Sequence, residues 1–142
     1  MGWINSLFTN RSEKEHINKL VIIAHCEHII DQEDILLLKQ EIGYISVEEN
    51  RIPEVEKIRQ NLPKTARERF NLVFFLVNSL MANGALSDKK EGIVAKLLLA
   101  LNLSTEKAKE LTSFLKLNIR NGLSMEDSFS RLGYLLEPSV YA

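Results

Sequence analysis

The chain has little with which to cross-link itself. Cys26 is its one cysteine, so no internal disulfide can form, and a reducing, cytoplasmic compartment is the simpler expectation. Charge of one sign is also missing: 18 Lys and Arg against 19 Asp and Glu leave a net charge of −1. With the signs interspersed, there is no electrostatic case for nucleic acid as a partner. No apolar run approaches the ~20 residues that cross a bilayer. The opening stretch Met1–Phe8 has neither the basic leader nor the apolar length of a signal peptide. Glycine-rich phosphate loops and dinucleotide fingerprints are absent. So is any sustained two-residue alternation, which argues against a sheet.

What the chain does have is helical periodicity. Its 142 residues, 45% apolar and 26% charged, suit one domain with a real core. From Glu13 the positions Ile17, Leu20, Val21, Ala24 and His28 trace one stripe, widened by Ile22 and Ile23, and the helix is expected to end near Ile29. Asp31 can cap a second helix, with Ile35, Leu38 and Ile42 inward and Gly43 in a left-handed terminal position. Ser46-Val47-Glu48-Glu49 reads as a capping box for a third helix carrying Val55, Ile58 and Leu62, with Pro53 splitting it or opening its first turn.

The centre of the chain is the segment from Phe70 to Ser104. Phe70, Val73, Phe74, Val77 and Leu80 form the inner stripe of one helix, and Leu72, Phe75 and Leu76 cover much of its other side. A helix apolar nearly all round is expected to be surrounded by others. After Asn83-Gly84, Ser87 caps a partner helix that folds back with Ile93, Val94, Leu97, Leu98 and Leu101 inward. Ser104 caps a sixth helix (Ala108, Leu111, Leu115, Ile119) closed by Gly122. Ser124 opens a seventh (Met125, Phe129, Leu132, Leu136) that ends before Pro138. The expected fold is all-α, a single compact bundle of about seven helices over residues 13–142, behind a short amphipathic segment at 1–12.

Shifting the chain by 56 residues lays Leu20-Val21 on Leu76-Val77, Ile30 on Leu86 and Asp31 on Ser87. A two-residue insertion then brings Ser46 onto Ser104. Two related helix–loop–helix halves are therefore expected. In the second half the loop reads Ala82-Asn83-Gly84-Ala85-Leu86 and the next junction Leu101-Asn102-Leu103-Ser104. In the first the loop reads Cys26-Glu27-His28-Ile29-Ile30, with Asp34 beyond it, and the junction Gly43-Tyr44-Ile45-Ser46. This pattern resembles the TerB-like (tellurite-resistance-associated) helical domain family, over roughly residues 14–129. The resemblance implies an all-helical, non-catalytic protein-interaction or scaffold module, in a stress-response or envelope-associated assembly. It also implies acidic loop residues of the kind some members use for divalent cations. The chain departs from the pattern where His28 stands for glycine, and where Asn83 and Lys90 stand for acids.

Three groups are candidates for chemistry. His25, Cys26, Glu27, His28, Asp31 and Asp34 are the densest set of potential ligands. Their spacing matches no zinc motif, while the oxygen-bearing Glu27, Asp31 and Asp34 suit calcium or magnesium, without the glycine and spacing of an EF-hand. Structural roles compete: His28 on the apolar stripe, Cys26 as a small buried group, Asp31 as a cap. Asn83, Asp88 and Glu91 form a sparser second set. Trp3, Leu7 and Phe8, with Ile4, share one helical face and are the candidate contact with another protein or a membrane surface; Gly2 and Ser6 also fit the short myristoylation pattern. Arg51, Lys57, Arg59, Lys64, Arg67 and Arg69, interleaved with Glu54, Glu56 and Glu68, read as a solvated face or a contact for an acidic partner. Cys26 has histidines in sequence but no third group to orient them, so nucleophilic catalysis has no support.

Overall fold

A computed structural model describes residues 2–46 and 54–137, with the backbone alone for residues 2–10. Seven α-helices follow one another: α1 (Gly2–Cys26), α2 (Gln32–Glu41), α3 (Val55–Gln60), α4 (Ala66–Leu80), α5 (Asp88–Leu99), α6 (Thr105–Arg120) and α7 (Met125–Leu132). A 3-10 turn, Gly133–Leu136, ends the described chain, and no strand occurs among the described residues.

α4 is the axis of the molecule, and its composition is the reason. Phe70, Leu72, Val73, Leu76, Val77 and Leu80 are all buried, leaving almost no solvent-facing side on its middle turns. Each such side chain contributes about 1.5–3 kcal/mol by leaving water. Around it pack α1, α5, α6, α7 and the 3-10 turn. α5 does turn back from α4 after Gly84, but its most extensive packing is with α6. The inward residues expected on α5 (Ile93, Val94, Leu97, Leu98) are buried, as are Ala108, Leu111 and Leu115 of α6, whereas Ile119, also expected inward, is half-buried.

The helix starts follow the serine and aspartate positions. Asp31, Ser87, Ser104 and Ser124 each accept a hydrogen bond from the backbone N–H three residues on. Each satisfies one of the donors that a first helical turn leaves without a partner. Thr65 does the same for α4. The helix ends share a second device. Ile29 N–H donates to Ala24 O, Leu103 N–H to Leu98 O and Leu123 N–H to Asn118 O. Between donor and helix stands a left-handed residue: His28 (φ 60°), Asn102 (φ 66°) and Gly122 (φ 80°). This six-to-one closure is the Schellman end, which uses carbonyls that would otherwise go unpaired.

Several expectations need correction. The N-terminal residues are not a separate short segment, because α1 runs unbroken from Gly2 to Cys26. It stops three residues before Ile29, and His28 is exposed at the left-handed position instead of lying on the apolar stripe. Gly43 does not take a left-handed conformation; α2 ends instead on Ile42 in an extended conformation. α3 is only six residues long, and Val55 and Ile58 are half-buried against the core. The Val47–Glu49 part of the capping box, Arg51, Pro53 and Pro138 lie outside the described residues, as do the side chains of Trp3, Ile4, Leu7 and Phe8.

Among the positions paired by the 56-residue shift, Asp31 and Ser87 are both N-caps and Ile30 and Leu86 are both buried, but His28 (φ 60°) and Gly84 (φ 139°) differ in conformation.

Candidate functional site

The acidic loop comes first, because the sequence singles it out. Asp31 Oδ1 accepts from Asp34 N–H at 2.9 Å, and Asp34 Oδ2 accepts from Asp31 N–H at 3.2 Å. The two carboxylates thus form a reciprocal capping box at the start of α2. The Asp34 N–H above all, with the Lys96 charge and the Glu33 N–H, holds the Asp31 carboxyl below its ordinary range. Asp34 also lies 3.5 Å from Lys96 Nζ on α5. Glu27 turns elsewhere, meeting Arg59 Nη2 at 2.5 Å. The structure thus joins Asp31 to Asp34 and gives Glu27 a different partner. Among the described residues, no three His, Cys, Asp or Glu side chains come together as a metal site. A cavity of about 290 Å³ opens beside His25, His28 and Asp31, and Cys26, half-buried, is not in its wall. In the second loop, Glu91 is bound by Lys116 Nζ at 2.9 Å and Ser113 Oγ at 2.8 Å, contacts that keep its carboxyl ionised to lower pH than usual.

Lys90 stands where the first half has Asp34, and it bonds Glu41 at 2.9 Å. Asp34 near the start of α2 meets Lys96 late in α5, while Glu41 at the end of α2 meets Lys90 early in α5. Two bridges in this order run the helices antiparallel. The lysine that breaks the acidic pattern of the second half is thereby a structural contact.

The mid-chain arginines, expected on a solvated face, are clamps. Arg59 donates to Ala100 O at 3.1 Å as well as to Glu27, and Glu56 lies 3.7 Å from its Nε. Arg69 donates to Pro63 O at 3.0 Å. Arg67 bonds Glu126 on α7 and lies 4.6 Å from the centroid of Phe129. A planar guanidinium can serve several acceptors at once, which suits a site where helix-terminal carbonyls and carboxylates converge.

A further concavity is one that sequence reasoning missed. Between α5 and α6 lies a groove of about 460 Å³, with Gly92, Ala95 and Leu99 on one wall and Ala108 and Thr112 on the other. Asp88, Glu91, Lys96, Lys109 and Ser113 rim it. The available signal was the run of small residues at three- and four-residue intervals on both helices, which keeps side chains from filling the cleft. On α6, Phe114 and Leu117 are large apolar side chains left exposed, at 44% and 39%.

A last feature lies between α1 and α4. Glu13 is buried, its Oε2 without a hydrogen-bond partner, and burial with the facing Glu68 pushes its carboxyl up to about 7. Nearby, Tyr44 packs on Phe75 at 6.0 Å, and burial pushes its hydroxyl up to about 12.

Fold and site together define a helical bundle with an open groove and a long N-terminal helix. No known family model matches the chain, and no curated protein or solved structure shows significant similarity to it. No helix among the described residues is long and apolar enough to cross a membrane.

Proposed function

We propose that this chain is a non-catalytic, TerB-like protein-interaction or scaffold module that serves a stress-response or envelope-associated assembly. The observation that carries the interaction reading is the α5–α6 groove, apolar and small-walled within a polar rim. Such a cleft suits the helix-in-groove mode of recognition, in which a partner helix lays its apolar face between two others. The N-terminal turns of α1, with Trp3, Leu7 and Phe8 on one helical face in sequence, are the second contact. The assembly and the family are drawn from the sequence resemblance alone.

The groove gives a direct test. A Cβ added at Gly92 meets nothing within 4 Å, so the backbone there accepts a side chain, and Gly92→Leu is expected to fill the cleft, with an unchanged far-UV circular dichroism spectrum as the check on its fold. Tagged wild-type protein recovered from its own host, with soluble and membrane fractions kept separate, is expected to carry a stoichiometric protein partner that Gly92→Leu loses. Equal recovery by both proteins, or no partner in either fraction, would count against the reading. A divalent-cation-responsive role for Glu27, Asp31 and Asp34 is the alternative. It requires Glu27 to leave Arg59, and would show as a calcium- or magnesium-dependent rise in Tm that Glu27→Ala removes.

A further inference from the structure

A cavity of about 230 Å³ lies where three joints of the chain meet: the end of α3, the turn into α4, and the turn from α5 to α6. That is roughly the liquid volume of seven waters. Its polar wall is made of donors: Arg59 and Gln60 from α3, Lys64 and Arg69 flanking the α4 start, and Asn102 from the α5–α6 turn. Its one carboxylate among the described residues, Glu56, is 83% exposed. The guanidiniums are anchored by groups that leave most of their charge standing. Arg69 Nε donates to Pro63 O at 3.0 Å and its Nη1 lies 3.5 Å from Leu101 O, while Arg59 donates to Ala100 O. These acceptors are neutral carbonyls, and a helix end such as that of α5 amounts to about half a negative charge. Glu27 balances Arg59. Arg69 and Lys64 meet no carboxylate among the described residues, and Arg69 Nη2 donates to none of them. Two positive charges are thus left at one concavity, one of them on a half-buried side chain pinned in place.

We propose that this cavity is an oxyanion site that takes a phosphoryl group, with Arg69 and Lys64 as its charged ligands and Arg59, Gln60 and Asn102 as supporting donors. Charge and shape both select the ligand. A phosphomonoester carries about −1.5 to −2 at neutral pH, which matches the two charges left at Arg69 and Lys64. A carboxylate carries half of that at most. Donors reach the cavity from α3, from the α4 start and from the α5–α6 turn. Three phosphoryl oxygens around one centre can meet three such directions, whereas a planar carboxylate has two oxygens on one edge. A guanidinium fixed by one carbonyl keeps further N–H groups in its plane for the anion, so the anchoring bonds of Arg69 orient it in advance. Glu56 opposes the ligand from the rim and sets a limit on its affinity. The site is separate from the α5–α6 groove, and neither reading depends on the other.

Titration of the full chain with inorganic phosphate, at constant pH and ionic strength, tests this through backbone amide chemical shifts. Saturable shifts are expected at residues 59–69 and 100–103, with α7 amides unmoved. Arg69→Gln should weaken the affinity at least about tenfold. Lys64→Gln should weaken it by a smaller factor, and Glu56→Gln should strengthen it. Lys109→Gln, on the rim of the other groove, leaves it unchanged. Acetate at the same ionic strength is expected to bind more weakly than phosphate. Phenyl phosphate separates the sources: binding as tight as phosphate supports a phosphorylated side chain or other monoester, and its exclusion supports free phosphate. No saturable shift at millimolar phosphate, or an equal response to acetate, overturns the site. So does an unchanged affinity in Arg69→Gln. Should that variant misfold, Lys64 is exposed and bonds no described residue, so an unchanged affinity in Lys64→Gln overturns the site instead.

Discussion

Single residues carry strain and relief that no periodicity displays. His28 closes α1 in the left-handed region, where a side chain costs roughly 1 kcal/mol or more over glycine. His28→Gly is thus expected to raise stability by about 1 kcal/mol in a denaturation curve, and a β-branched residue there to lower it. Gly133 presents a different constraint, one of space. A Cβ there would lie 2.5 Å from Phe129 Cε1, and that ring is edge-on to Phe70 at 5.3 Å and under Arg67. Gly133→Ala therefore displaces a ring held on two sides, with an expected loss of about 1–3 kcal/mol. Glu13 adds a pH dependence of global stability. Its proton affinity is higher folded than unfolded, so its unfavourable contribution grows as pH rises from the ordinary glutamate range to about 7. Glu13→Gln should gain on the order of 2–3 kcal/mol over wild type at alkaline pH and little in acid. Asp31 has the opposite sign: its cap stabilises above the ordinary aspartate range and is lost as pH falls through its lowered value.

Helices were the most legible level. Ser87, Ser104 and Ser124 start α5, α6 and α7 where the sequence places them, and Ser→Ala at each should cost about 1 kcal/mol, read as a lowered Tm. The core stripes of α4 and α5 were equally plain, because a 3.6-residue apolar period has no other stable use in water. What the chain hid were features made by contact between elements. Nothing local distinguishes Glu13 from the exposed Lys14 and Glu15 that follow it; only the position of α4 buries it. The arginines at 59 and 67 resembled a solvated run because Glu27, Ala100 and Glu126 are distant in sequence. The Glu27, Asp31 and Asp34 set was legible as chemistry but not as geometry, since Arg59 and the α2 cap draw the carboxylates apart. The small residues of the groove were visible and went unread, because an unfilled surface leaves no apolar stripe. Gly92→Ala there should stabilise α5 by about 0.5–1 kcal/mol, with no contact to disturb.

At the scale of the molecule, Arg59 joins parts of the chain that nothing local brings together. Its bonds reach 32 residues back to Glu27 and 41 forward to Ala100, linking the end of α1, the short α3 and the end of α5. Arg59→Ala should cost about 2–3 kcal/mol, and Arg59→Lys should recover little of it, since one ammonium cannot span the same acceptors. The reach of those bonds also has a kinetic meaning. The bond to Glu27 needs α3 seated on α1, and the bond to Ala100 needs the end of α5 brought to α3 as well, so the pair is complete only late in assembly. In stopped-flow chevrons, Arg59→Ala is then expected to leave the refolding limb nearly unmoved and to raise the unfolding limb, a φ-value near zero. The guanidinium would act as a bolt shot after the door is shut, setting how long the native state lasts and not how fast it forms.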